Sequence, residues 1–136
     1  MKLTLHHINF STEKVEEMDS FYREVMGLAK AQDDMPGLRG DKDVYDGDVA
    51  FLDDGKTHLH VARKDVEAGF RTGQIVNPVA RGHIAYRCDD IAAFKTHLEA
   101  RGVPYSDWGT SAVNGWHQIY FYDPDGNVIE VHQVIG

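Results

Sequence analysis

Phe51-Leu52-Asp53-Asp54-Gly55-Lys56-Thr57-His58-Leu59-His60-Val61 and Phe121-Tyr122-Asp123-Pro124-Asp125-Gly126-Asn127-Val128-Ile129-Glu130-Val131 lie in different halves of the chain and align without a gap. Each begins with an aromatic residue, turns at an Asp/Gly cluster, and places His60 or Glu130 9 residues after its Phe. A second pair of stretches, His7-Ile8-Asn9-Phe10 and His83-Ile84-Ala85-Tyr86, repeats in the same way. His7 therefore corresponds to His83, and His60 to Glu130. Internal repetition is read before local propensity, because it constrains the architecture as a whole.

Around these anchors both halves follow one plan. Lys2 to Phe10 reads as a strand, with Leu3, Leu5, His7 and Asn9 on one face and Thr4, His6, Ile8 and Phe10 on the other. Ser11 or Thr12 is placed to cap a helix in which Val15, Met18, Phe21, Tyr22, Val25 and Met26 recur at helical spacing before Gly27. In the second half, His83 to Arg87 is strand-like, Asp89 or Asp90 caps, and Ile91, Phe94 and Leu98 form an apolar stripe before Gly102. A loop rich in Gly and acids, Ala31 to Asp48, precedes a hairpin of Val49–Leu52 and Thr57–Arg63. Gln118–Tyr122 and Asn127–Gln133 form its counterpart around Asp123-Pro124-Asp125-Gly126, a strong turn signal. The expected organisation is one domain, 1–136, of repeats 1–64 and 80–136 joined by a linker, 65–79. Its fold class is α+β.

The bulk properties narrow the function. At 136 residues, 42% hydrophobic and 26% charged, the chain suits one soluble globular domain. A net charge of -8 argues against nucleic acid, whose phosphates need a basic face. No apolar run approaches the ~20 residues that span a bilayer, and the first residues do not resemble a signal peptide. The single cysteine, Cys88, excludes an intrachain disulfide and reads as a buried, inert thiol; the expected location is cytoplasmic.

Strand alternation and the repeat together bring His7, His60, His83 and Glu130 toward one axis. Three neutral imidazoles and one carboxylate suit a divalent ion such as zinc, nickel, manganese, iron or cobalt, and leave it Lewis acidity. A buried Glu130 without a cationic partner would be costly, which favours the metal reading. His6, His58, His97, His117 and His132 are read first as structural. His132 shares the face of Glu130 and is placed to support it. Tyr120 and Gln118 share a strand face beside Glu130, and Tyr120 is a candidate catalytic hydrogen-bond donor to substrate oxygen. Trp108 and Trp116 flank a Gly/Ser-rich loop and line a pocket or cover the core. Arg39 reads as a surface residue before it reads as an anion clamp.

The segments Leu5-His6-His7-Ile8, Phe21-Tyr22-Arg23-Glu24-Val25-Met26-Gly27-Leu28, Gly82-His83-Ile84-Ala85-Tyr86 and Ile119 through Glu130 resemble the vicinal oxygen chelate superfamily. This is the glyoxalase/bleomycin resistance protein/dioxygenase group. The resemblance implies two βαβββ modules, a curved mixed sheet around a central metal, and a homodimer whose sites in several members draw on both chains. It puts metal ligands at His7, His83 and Glu130, with a variable fourth position at His60, and implies bidentate binding of vicinal oxygens of a small-molecule substrate. Bacterial glyoxalase I commonly has Glu where this chain has His60. Fosfomycin thiol transferases are similar in their ligands and in a Tyr at the position of Tyr120, but their potassium loop finds no match between Tyr105 and Gln118. Extradiol dioxygenases are generally longer, and bleomycin-binding members lack the metal residues.

The leading expectation is a metal-dependent lyase or isomerase, lactoylglutathione lyase-like, in which Glu130 or a metal-bound hydroxide moves a proton. The alternatives are a thiol transferase or dioxygenase, and a non-catalytic module that sequesters a small ligand.

Overall fold

In the computed structural model, which describes residues 2–136, the first repeat forms β1 (Leu3–Thr12), α1 (Val15–Ser20), β2 (Ala29–Lys30), β3 (Val49–Asp53) and β4 (His58–Arg63). A short α2 (Ala68–Thr72) follows, and the second repeat forms β5 (Gly82–Cys88), α3 (Ile91–Ala100), β6 (Ser106–Gly109), β7 (Trp116–Tyr122) and β8 (Val128–Val134). The strands make one sheet in the order β2-β3-β4-β1-β5-β8-β7-β6. Each half is thus a mirror-ordered run outward from the central β1–β5 seam. β1 and β5 pair antiparallel across the seam, while β1 with β4 and β5 with β8 pair parallel. The result is the expected α+β architecture, two βαβββ modules in a curved mixed sheet.

The turn chemistry of the hairpins explains their registers. Asp54 Oδ1 accepts from the amides of Lys56 and Thr57, and Asp123 Oδ1 accepts from those of Asp125 and Asn127. These side-chain turns fix the pairing of Phe51 with His60 and of Tyr120 with Glu130. At the seam, Gly82 has φ +142 and lies so close to the Asn9 carbonyl that a Cβ there would collide with it.

The two helices differ more than the repeat suggests. Asp90 caps α3 by accepting from the Ala93 amide at 3.0 Å, and Ile91, Phe94 and Leu98 are buried against Ile119, Phe121 and Val131. Each such side chain contributes on the order of 2 kcal/mol. In the first half β1 continues through Thr12, so the expected cap at Ser11 or Thr12 is not made; α1 starts at Val15 without a side-chain cap. Phe21 to Val25 then winds as a π-helical turn, leaving Phe21, Val25 and Met26 exposed. The wider turn breaks the 3.6-residue stripe that the sequence pattern assumes.

The alternation expected along β1 is also broken. Leu5 pairs with Tyr86 and His7 with Ala85, so His6 is an extra residue in a β-bulge. His6 and His7 are consequently both buried, where strict alternation would put them on opposite faces. Residues 65–79, between the repeats, carry α2 and bury Ala68 and Val76 fully in a cluster with Tyr45, Trp108 and Tyr120. Cys88 is buried and free, and burial pushes its thiol pKa up. Among the described residues no helix is long and apolar enough to cross a membrane.

Candidate metal centre

Four adjacent central strands supply the candidate ligands: β4 carries His60, β1 His7, β5 His83 and β8 Glu130. All four residues line one narrow cavity of about 60 Å³, which Met35 and Leu38 of the loop between β2 and β3 also wall. Within it the structure draws three atoms into a tight triangle. His7 Nε2 lies 3.3 Å from His83 Nε2, and Glu130 Oε1 lies 3.1 Å from His83 Nε2 and 3.7 Å from His7 Nε2. An ion with donor bonds of about 2.0–2.2 Å spaces neighbouring donors by roughly 3.0–3.5 Å, so the triangle matches a divalent metal. His60 shares the cavity but stacks on His7 with ring centroids 3.9 Å apart. Its donor nitrogen groups instead with His6 and His58.

Neighbouring hydrogen bonds aim these atoms. His83 Nδ1–H donates to the Pro78 carbonyl at 2.8 Å, which turns Nε2 toward the cavity as the ring's remaining donor atom for an ion. Glu130 is 1% exposed, and its ion-pair contacts among the described residues are all histidines. Tyr120 donates its hydroxyl to Glu130 Oε1 at 3.0 Å, and Gln118 donates its amide to the Tyr120 oxygen at 3.0 Å. Arg87 Nε–H donates to His132 Nε2 at 3.1 Å, so the neutral His132 ring carries its proton on Nδ1 and donates it to Glu130 Oε2 at 2.7 Å. Trp116 stacks flat on His132, 3.9 Å between centroids at 6°.

The electrostatics suit a cation. Burial drives the His7 and His60 pKa values well below the usual imidazole range, so both rings are neutral with a lone pair available. Burial alone would raise Glu130, but the neighbouring His7, the hydrogen bond from His132 and the contact with His83 outweigh it and hold the carboxyl well below its ordinary value. Burial, reinforced by Glu130, pushes Tyr120 well above the ordinary phenol, keeping its hydroxyl a donor. Two lone pairs and a carboxylate thus converge on one point, an arrangement that needs a proton or a cation between them. The donor set fits a divalent ion.

The other sequence candidates fall as follows. Trp116 lines the cavity, while Trp108 packs edge-on against Tyr120. Arg39 is exposed and away from the cavity lining. His97 sits on α3 beside Phe94, and His117 bonds Asp107. Sequence reasoning missed His6, which the bulge turns inward, and His58. It also missed Asp34, whose loop reaches across to bond both oxygens to Arg87 Nη1 at 2.7 Å. Asp34 adopts φ 61, a left-handed conformation that Asp tolerates better than most residues. The adjacent His6-His7 pair was the available signal; the loop contact left none.

Comparison with known proteins identifies the family and the fold. The family model described as Glyoxalase/Bleomycin resistance protein/Dioxygenase superfamily matches residues 4–131. The Arabidopsis thaliana protein named Glyoxylase I 4 is 26% identical over 132 residues, covering 94% of this chain and 69% of that protein. A hypothetical protein of Bacillus halodurans shares the fold with TM-score 0.71 at 16% identity, covering 98% of this chain and 95% of its own. Methylmalonyl-CoA epimerase from Mycobacterium tuberculosis superposes with TM-score 0.67 at 15% identity, covering 97% and 88% of the two chains.

Proposed function

The chain belongs to the glyoxalase/bleomycin resistance protein/dioxygenase superfamily, and from that premise we propose that it is a metal-dependent lyase or isomerase acting on a small substrate with two neighbouring oxygens. The observation that carries this reading is the triangle of His7 Nε2, His83 Nε2 and Glu130 Oε1, with sides of 3.1–3.7 Å. These three residues hold the ion, with His60 beside them as the fourth candidate ligand. When bound, the ion supplies Lewis acidity toward the substrate oxygens.

The remaining chemistry belongs to the protein. Glu130, held ionised, accepts at Oε1, while that oxygen is off the ion, a proton from the carbon beside a substrate carbonyl and returns it to the neighbouring position. Tyr120 and His132 fix the two oxygens of that carboxylate, so the base does not rotate as it gains and loses the proton. Gln118 Oε1 is buried without a hydrogen-bond partner in the cavity wall and offers an acceptor to a substrate hydroxyl. The narrow cavity and its apolar Met35 and Leu38 wall confine the space around the reacting carbon. They also limit that end of the substrate to a few heavy atoms.

The test uses the chelator-stripped full chain reloaded with zinc, nickel, manganese, iron(II) or cobalt. The substrates are methylglyoxal–thiol adducts, methylmalonyl-CoA, fosfomycin with a thiol, and catechols. Metal-dependent isomerisation with solvent deuterium entering the product is expected. Turnover that survives stripping, or less than about a tenth of an ion bound per chain, overturns the reading. Thiol consumption with an epoxide, or oxygen uptake, replaces isomerisation by the corresponding alternative.

The same proposal includes a homodimer, supported by the outward row Leu3, Leu5, Ile8 and Phe10, each about 40% exposed, and a cytoplasmic location, in keeping with a single cysteine. Light scattering of the purified chain tests the dimer. One cooperative melting transition is expected if 1–136 is a single domain built of repeats 1–64 and 80–136.

A further inference from the structure

Beside the first triangle the structure assembles a second group: donor nitrogens of His6, His58 and His60 lie within 4.8 Å of one another. Three different local causes bring them together. The β1 bulge turns His6 inward, and parallel pairing of β1 with β4 sets His7 opposite His58 and Asn9 opposite His60. Alternation along β4 then puts His58 and His60 on one face, with His60 Nε2 3.5 Å from His58 Nδ1. His6 is only 8% exposed, and its Nε2 has no hydrogen-bond partner. Asp34 Oδ2, half-exposed at the rim, lies 3.2 Å from that nitrogen. A buried imidazole with an unpartnered nitrogen, grouped with two further imidazoles and a carboxylate at the rim, has the composition of a three-histidine zinc site with an open position.

We infer that His6, His58 and His60 form a second divalent-ion site, and that it is an alternative to the first site rather than an addition to it. The alternation rests on the first site as proposed above; the existence of the second does not. Its cause is the 2.8 Å contact between His6 Nδ1 and His7 Nδ1. Between two neutral rings that contact holds one hydrogen. If His7 supplies it, His7 Nε2 is free to bind an ion and His6 Nε2 carries the other ring hydrogen. If His6 supplies it, the roles reverse and His6 Nε2 is the free donor. One ring of the pair ligates at a time, and the shared hydrogen records which. The contact between the rings of His7 and His60 discourages two dications at such short range for the same outcome.

Zinc titration of the chelator-stripped full chain tests this, with ions counted after desalting, on four proteins: native, Glu130→Gln, His58→Gln and the double variant. The expected result is one tightly held ion in the native chain and in each single variant, and at least a hundredfold weaker binding in the double variant. Cobalt-loaded Glu130→Gln should give an X-ray absorption spectrum with three imidazole ligands and no carboxylate. If Glu130→Gln fails to bind while His58→Gln binds, the second site does not exist and the first stands. If His58→Gln fails while Glu130→Gln binds, the first-site reading fails and the second stands. Retained binding in the double variant overturns the second site, and two ions in the native chain overturn the alternation. Glu130→Gln keeps the side-chain shape and His58 is only half-buried; circular dichroism of all four proteins verifies the fold.

Discussion

His132 donates Nδ1–H to Glu130 Oε2 at 2.7 Å while its other nitrogen accepts from Arg87. A ring that never reaches the cavity therefore decides how the carboxylate presents its opposite oxygen. His132→Phe preserves the stacking on Trp116 but leaves Oε2 buried without a donor. Zinc affinity should fall about 10- to 100-fold, as for other supporting partners of metal ligands. The metal-free chain should lose about 1–3 kcal/mol, read from urea denaturation.

Tyr120→Phe removes one hydroxyl from a fully packed position and frees Glu130 Oε1 on one side. We expect kcat to fall by about tenfold, equivalent to roughly 1.4 kcal/mol of barrier, with KM nearly unchanged. An equal rise in KM would instead assign Tyr120 to substrate binding.

Gly82→Ala probes the seam between the halves. The added methyl meets the Asn9 carbonyl, and φ +142 is a conformation that alanine avoids. A loss of at least about 2 kcal/mol is expected by chemical denaturation, in line with strained backbone substitutions. A change under about 0.5 kcal/mol would show that β1 and β5 can separate at no cost.

Stability of the metal-free chain should fall with acid. Burial lowers His6 to about 4 from an unfolded value of 6.5, and His7 and His60 shift in the same direction. Between those values the unfolded chain binds protons that the folded chain refuses, so stability is full above pH 6.5 and declines as pH drops toward 4. Glu130, with its folded pKa depressed, adds a loss in the same direction once pH passes below its ordinary 4.5. Urea midpoints at pH 7.5, 6 and 5 measure the decline, and His6→Asn should flatten it.

The repeat makes the architecture legible because a gapless alignment of two hairpins needs no propensity argument. Asp/Gly turns fix the registers of both, so the alignment alone assigns His60 and Glu130 to their strands. His6 was not legible: a bulge is a decision of the pair of strands, made where Leu5 and His7 find consecutive partners on β5. Nor was the exposed stripe of the first helix, since a π turn shifts side chains that a 3.6-residue period would bury. Asp34 reaches Arg87 over 53 residues of chain, and no local pattern encodes such a contact.

The extra residue in β1 has a consequence for how a duplicated fold divides its labour. Two βαβββ halves meet at the β1–β5 seam, and the bulge on β1 has no matching extra residue on the facing stretch of β5. With it, the first half gives the interior His6, His7, His58 and His60, while the second gives His83, Glu130 and His132. One half becomes an all-imidazole partner and the other brings the only buried acid among the described residues, much as two different subunits would specialise. The molecule is symmetric in how it folds and lopsided in what it offers a cation: the aligned His60 and Glu130 already differ in kind, and the inserted residue adds His6 to one side alone.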